Sequence, residues 1–261
     1  MPARNILALC LAALSLSCSR WDLGLEIPFV ATWNGAPLTC DGGDPALTDL
    51  RFYISNPRIV TTDGVVRDVG FLVERPWQND VVALIDLEDG SGACQDGTAE
   101  VATKLVGVAR NGEYRALRFT VGVPFRLNHA NPLTASPPLD DPDMHWHWRS
   151  GYKFLRAGVR TASDGFWIHI GSAGCEGTVG NVTGCRFSNR VDVELDGFIP
   201  GESRVAVDLG KLMSGVDLDD ATATNCSSGP AEQDCIAPFR ALGIDFESGR
   251  QDGAQSVFSL R

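Results

Sequence analysis

The sequence predicts an all-β fold: a single-domain antiparallel β-sandwich with long loops and short helical turns, stapled by disulfides. Three observations lead there. Short runs rich in aliphatic, β-branched and aromatic residues recur at strand length along the chain. Turn dipeptides such as Asn111-Gly112 and Asp164-Gly165 separate them. Six cysteines remain after the N-terminal segment, an even number that suits disulfide pairing. Many short strands at regular spacing bury their apolar faces as a sandwich or barrel.

Residues 1–19 read as an export signal. Arg4 supplies a basic start, and the apolar run "ILALCLAALSLSC" that follows is too short to span a bilayer comfortably. The folded domain is expected over residues 22–261. Cys18 follows Leu14, Leu16 and Ser17 in a lipobox-like order, which makes it a candidate lipidation site; the competing reading is an ordinary cleaved signal. The expectation is therefore an exported protein, periplasmic or at the cell surface, in one form a membrane-anchored lipoprotein. A net charge of -11 and the lack of a lysine/arginine run argue against nucleic acid and anionic lipid as partners. A metal cation or a basic partner suits that charge better.

Taken in order, "LRFYISNPRIV" and "VVRDVGFLV" flank the turn "TTDG" and read as a hairpin. Further strands are expected at "DVVALIDLE", "TKLVGVAR", "YRALRFTVGV", "GYKFLRAGV", "FWIHIGS", "RVDVELDGF" and "SRVAVDLG". Helical turns are expected only at "VDLGKLMSG" and "CIAPFRALG". The segment from Leu127 to Met144, with four prolines, is a long loop, and long loops in compact β proteins often carry function. Sequence alone permits fifteen cysteine pairings. Short-loop closure favours Cys175 with Cys185 and Cys226 with Cys235, leaving Cys40 for Cys94. Thiolate metal ligation is the weaker reading, because none of these spacings is C-x-x-C.

The long loop runs into "MHWHWRSGYKF". All four histidines of the chain lie between His129 and His169, which points to a site. If a strand starts at Met144, alternation puts His145 and His147 on one face and Trp146 and Trp148 on the other. The same alternation sets Trp167 beside His169. Imidazole is the commonest protein metal ligand, and the set suits copper, zinc or iron better than calcium. The indoles can serve as core anchors, as sugar-stacking platforms or as oxidation targets. Asp140, Asp141 and Asp143 lack the glycine and terminal glutamate of an EF-hand and read as solvated loop acids. No G-x-S-x-G, P-loop, dinucleotide fingerprint or H-E-x-x-H occurs.

Six motifs in order, "DLRFYISNPRIV", "VALIDLEDGSGAC", "FTVGVPFRLNHANP", "MHWHWRSGYKFLR", "IHIGSAGC" and "NRVDVELDGF", resemble the MbnP-like family over roughly Leu25 to Gly243. These are exported four-Cys-motif proteins of the metallo-mystery pair system, encoded beside a di-haem cytochrome c peroxidase-like (MbnH-like) partner. The resemblance implies copper association. In some relatives a copper(I) ion is held by two histidines and a tryptophan oxidised to kynurenine, with the di-haem protein as oxidant. It implies His129 of "LNH" and His169 of "IHIGS" as first ligands; at His147 and His145 members of the family commonly carry another residue, so these two are candidate extra ligands of this chain. Trp146 and Trp148 match the tryptophans of the family motif, whereas Trp167 enters through strand alternation; Trp148 and Trp167 rank first as oxidation targets. Cys40, Cys94, Cys175 and Cys185 fall where the name-giving four lie.

The expected function is that of an exported copper-handling protein, the substrate of its redox partner and not itself an enzyme. Two alternatives stand beside it. One is a secreted metalloenzyme using the same histidines with an open coordination position. The other is a carbohydrate- or surface-binding module built on the tryptophans.

Overall fold

The computed structural model describes residues 22–219 and 225–261, so residues 1–19, expected to be an export signal, and Cys18 lie outside the described residues. Two large sheets face each other. The smaller has the order Phe258–Leu260, Val205–Asp208, Asp22–Trp33, Lys104–Arg110, Gly70–Phe71, with Ala36–Pro37 added beside Asp22–Trp33. The larger has the order Gly165–Gly171, Gly151–Arg160, Ala46–Thr61, Tyr114–Val121, Val191–Asp196. Val66–Asp68 and Val82–Asp86 join it along Ala46–Thr61, and His145–His147 joins along Gly151–Arg160. A separate two-stranded hairpin pairs Ala173–Thr178 with Asn181–Phe187.

Alternation explains why the two sheets close on each other. Leu25, Ile27 and Phe29 of the first strand meet Leu50, Phe52 and Ile54 of Ala46–Thr61 in one continuous core. Phe29 packs edge-on against Phe52 at 5.5 Å, and Phe258 lies edge-on to Phe52 and Phe119 at 5.8 and 5.7 Å. This is the expected all-β sandwich. One pair within it runs parallel, Phe29 opposite Val205, because the chain crosses to the other sheet between them.

The strand Ala46–Thr61 is buried almost throughout, which a half-solvated strand would not be. Its second face carries Asp49, Arg51 and Tyr53. The loop after Leu127 folds over that face: Tyr53 donates its hydroxyl to Pro138 O at 2.9 Å, Tyr152 donates to Leu139 O, and Asn79 donates to Pro137 O at 3.1 Å. Val123, Leu139 and Met144 pack there with Tyr53, Tyr152 and Phe154 as a smaller second core.

The expected runs all contribute strands, and the two expected helical turns fall at Leu209–Leu212 and Ile236–Ala241, but a further turn at Phe125–Asn128 and a short one at Gln233–Cys235 were not expected. Asp208 caps the former by accepting from Lys211 N at 3.1 Å. The three disulfides are Cys40–Cys94, Cys175–Cys185 and Cys226–Cys235, as short-loop closure expected. One expectation fails locally. The strand at "HWHW" does not continue into "GYKF"; it stops at His147, turns through residues 148–150, and folds back with His147 opposite Gly151 and His145 opposite Tyr152. Gly151 makes the reversal possible at φ 77°, where a Cβ would lie 2.2 Å from Asn128 O. Trp148 therefore sits in a turn and does not share a strand face with Trp146.

Candidate metal centre

His129 ends a single helical turn, Phe125–Asn128, that starts after Pro124. The residue before it, Asn128, is fully buried and holds the region together. Its Oδ1 accepts from Tyr152 N at 3.0 Å, and its Nδ2 donates to Ser172 Oγ at 3.3 Å. The His129 loop is thus tied both to the strand that follows the tryptophan turn and to the residue just beyond the His169 strand.

His129 Nδ1 lies 3.0 Å from Trp148 O, and a carbonyl can only accept, so Nδ1 carries the proton. The lone pair is left on Nε2, which faces Cys185 Sγ at 3.5 Å and Asn128 Nδ2 at 3.4 Å. A disulfide sulfur has no hydrogen to donate, so the sulfur contact is packing. Burial holds the His129 imidazole below its usual range, partly offset by the bond to Trp148 O.

His145 packs edge-on to the Tyr152 ring at 4.9 Å, and its buried Nε2 has no hydrogen-bond partner. Burial lowers its proton affinity, and the nearby His147 and His129 lower it further. His147 is exposed and locally satisfied. Its Nδ1 accepts from Arg149 N at 3.2 Å, and its Nε2 lies 3.1 Å from Ser150 Oγ.

His169 stands on the outer face of Gly165–Gly171, opposite Arg156 in the register. Burial, helped by the Arg156 and Lys153 charges, pushes its imidazole down to about 4. Trp167 and His169 share this face, as alternation predicts, and Trp146 comes to the same face from another strand. Its ring covers Gly171, where a Cβ would meet the indole at 2.5 Å. The Trp167 ring covers Gly158 in the same manner at 2.7 Å. Trp148 has the Arg149 guanidinium 5.0 Å over its ring.

Beside His169 lies an ionic cluster that sequence reasoning missed. Asp49, 5% exposed, bridges Arg51 at 3.1 Å and Arg156 at 2.7 Å. Glu88 and Asp141 approach Arg51 at 3.6 and 3.8 Å. Burial opposes the Arg51 cation, but the hydrogen bond to Asp49 and the surrounding carboxylates outweigh it and hold the guanidinium above its ordinary range. Asp86 is pushed up to about 7 by burial and by Glu88. Asp141 is thus an ion-pair partner, and the backbone oxygen of Asp143 receives Lys153 Nζ at 2.6 Å and Arg156 Nη1 at 3.2 Å. Alternating carboxylates and arginines along strands carried no signal of this in sequence.

Among the described residues one cluster brings three potential metal-binding side chains together: His129, Cys175 and Cys185, their ligand atoms within 4.8 Å of one another. The sulfurs are paired in the disulfide, so they are weak donors as they stand. The remaining donors are soft enough for copper. Three of the four imidazoles are held neutral by burial, one offers a lone pair on Nε2, and another has a buried nitrogen with nothing to bind.

Fold and site together define a disulfide-bonded β-sandwich with His169, Trp167 and the Trp146 ring on the outer face of one sheet and His129 against the Cys175–Cys185 disulfide; among the described residues the four imidazoles do not form one cluster of three or more ligands. The chain belongs to the MbnP family, whose model matches residues 23–228. It is similar to MbnP from Methylosinus trichosporium, with a TM-score of 0.79 and 26% identity over 92% of this chain and 98% of that one. No curated protein matches the sequence. Family membership supports a copper-associated protein of the methanobactin system, and together with the disulfides it is consistent with export.

Proposed function

We propose that this protein is an exported copper carrier that binds copper(I) through His129 and His169, with His145 and His147 as further nitrogen donors. The observation that carries this reading is the buried, unpartnered Nε2 of His145, in a chain where burial also keeps the His129 and His169 imidazoles neutral. A buried polar atom without a partner costs about 1–3 kcal/mol, and a metal ion would satisfy it. Copper supplies a soft, low-coordinate cation that accepts imidazole nitrogen. The chain's own residues orient the donors: Trp148 O fixes the His129 tautomer, Asn128 positions its loop, and the Asp49 cluster holds Arg156 beside His169.

In this reading the protein is a binder and not a catalyst, and its partner within the methanobactin system is the di-haem peroxidase-like protein. That partner would oxidise one tryptophan of the site to kynurenine. Trp148 and Trp167 remain the first choices, with Trp146 also in range of the site because it lies over Gly171.

The test combines metal analysis and peptide mass spectrometry of protein exported by its native host, with His129→Ala and His169→Ala in parallel. Stoichiometric copper that is lost in both variants, with kynurenine on one of the three tryptophan peptides, is expected. Copper-free protein with intact tryptophans from copper-replete cells containing the partner would overturn the reading.

A further inference from the structure

We propose that the Cys175–Cys185 disulfide is a redox gate on the copper site: once a dithiol opens it, the two thiolates join His129 Nε2 as a three-coordinate copper(I) site. The inference rests on the reading that this protein handles copper.

The three donor atoms are already gathered. Cys185 Sγ lies 3.5 Å from His129 Nε2, and all three ligand atoms lie within 4.8 Å of one another. The imidazole is also oriented for the purpose, since Trp148 O holds the proton on Nδ1 and the lone pair is on the side of the sulfurs. Cleaving the bond would not disperse the cysteines. They are directly opposed residues of the hairpin Ala173–Thr178/Asn181–Phe187, whose backbone ladder keeps both side chains on one face.

Access distinguishes this disulfide from the other two. Cys185 is half-buried and lines a surface depression of about 370 Å³ with Gly174, Glu176, Thr183, Gly184 and Arg186. Cys40 also borders a depression, of about 340 Å³, but Cys40, Cys94, Cys226 and Cys235 are all buried, none more than 4% exposed, so exposure is what sets Cys185 apart. Thiol–disulfide exchange requires a thiolate to reach a sulfur in line, so a dithiol meets the hairpin first.

The chemistry balances simply. One thiolate of the dithiol attacks a sulfur and forms a mixed disulfide; its second sulfur then displaces the protein thiolate and leaves as a cyclic disulfide. Two electrons and two protons pass to Cys175 and Cys185. Copper(I) binding releases the two thiol protons and forms two Cu–S bonds and one Cu–N bond. Thiolates select copper(I) more strongly than imidazoles do, so reduction strengthens copper binding, and by linkage copper favours the reduced pair.

The experiment uses the mature protein, reduced anaerobically with dithiothreitol, desalted, and titrated with copper(I) against a colorimetric copper(I) chelator. Differential alkylation with peptide mapping records which cysteines opened. Expected are alkylation of Cys175 and Cys185 ahead of the other four, a near-ultraviolet thiolate-to-copper band, and affinity raised by about a hundredfold over the oxidised protein. Cys175→Ser/Cys185→Ser should show neither band nor gain, and reduced wild type alkylated with N-ethylmaleimide gives the same reading without any substitution. In reduced His129→Ala the band should persist with affinity lowered by about tenfold. Opening of another disulfide first, a missing band, equal affinity in both redox states, or an unchanged His129→Ala affinity would overturn the proposal. The oxidised protein, titrated alongside, reports the imidazole site by itself, so failure there is distinguishable from failure of the gate.

Discussion

The carbonyl oxygen of Trp148 receives the Nδ1 proton of His129 at 3.0 Å, and this single bond decides which nitrogen of the imidazole can meet a metal. The bond joins the loop that carries His129 to the turn that ends the "HWHW" strand. Its geometry depends on Asn128, which is buried between the two and bonds Tyr152 N and Ser172 Oγ.

Asn128→Ala should therefore act at a distance from any ligand. It leaves Tyr152 N unpaired in the interior, at a cost of about 1–3 kcal/mol, and frees the His129 loop. Thermal unfolding should shift down, and copper affinity should drop by about tenfold or more. Asn128→Asp keeps the acceptor for Tyr152 N but buries a carboxylate without a counter-ion and loses the donor to Ser172, so it should recover little of the stability. Unchanged copper affinity in Asn128→Ala would show that this loop does not position a ligand.

Gly171→Ala should expel an indole. A Cβ there would stand 2.5 Å from the Trp146 ring and 2.7 Å from Tyr152 O, and only the ring can move. The expected result is altered tryptophan fluorescence and near-ultraviolet circular dichroism with a loss of about 1–3 kcal/mol. A spectrum identical to wild type would place Trp146 elsewhere.

Asp49→Ala should be among the most damaging single substitutions. Asp49 is shared by Arg51 and Arg156, so its loss leaves two cations in a largely buried cluster with their main counter-ion gone. Breaking such a pair costs about 3–5 kcal/mol, a fall of roughly 10 °C in Tm for a chain of this size. A fall of only about 2 °C would mean that water reaches the cluster.

Two buried groups should give opposite pH slopes in metal-free protein. His169 is held at about 4, below the roughly 6.5 of an unfolded imidazole, so the unfolded chain binds more protons between those values. Its contribution is full above about pH 6.5 and is lost as pH falls towards 4. Asp86 is held at about 7 against about 3.9 unfolded, so the folded chain binds more protons between those values. Its contribution is full below about pH 4 and is lost as pH rises through 7. Asp86→Asn, which mimics the protonated carboxyl, should gain more over wild type at about pH 8 than at about pH 5. His169→Asn should flatten the acid-side decline. Tm profiles of both variants parallel to wild type would rule out these assignments.

The sandwich was legible because strands announce themselves locally. Runs such as "YRALRFTV" and "VDVELD" alternate, and the pattern that marks them as strands is the one that packs them. The opening strand Asp22–Trp33 escaped notice although Leu25, Ile27 and Phe29 alternate within it, since Pro28 interrupts the run. The hairpin Ala173–Thr178/Asn181–Phe187 had no apolar alternation to read; glycines and polar side chains make up most of it and the disulfide fastens it.

By itself the sequence determined the fold class and the gathering of every histidine into one stretch, because periodicity and composition are local properties of the chain; it favoured one cysteine pairing of fifteen, which the structure then established. Only the tertiary structure decided that Trp148 orients His129, that His129 faces the Cys175–Cys185 disulfide, and that buried charges stand beside His169. Those relationships join residues tens of positions apart through a chain reversal at Gly151 and a loop folded over the back of a sheet. A hydrogen-bond direction or an ion pair across such distances is set by which surfaces pack together, and no local pattern records that.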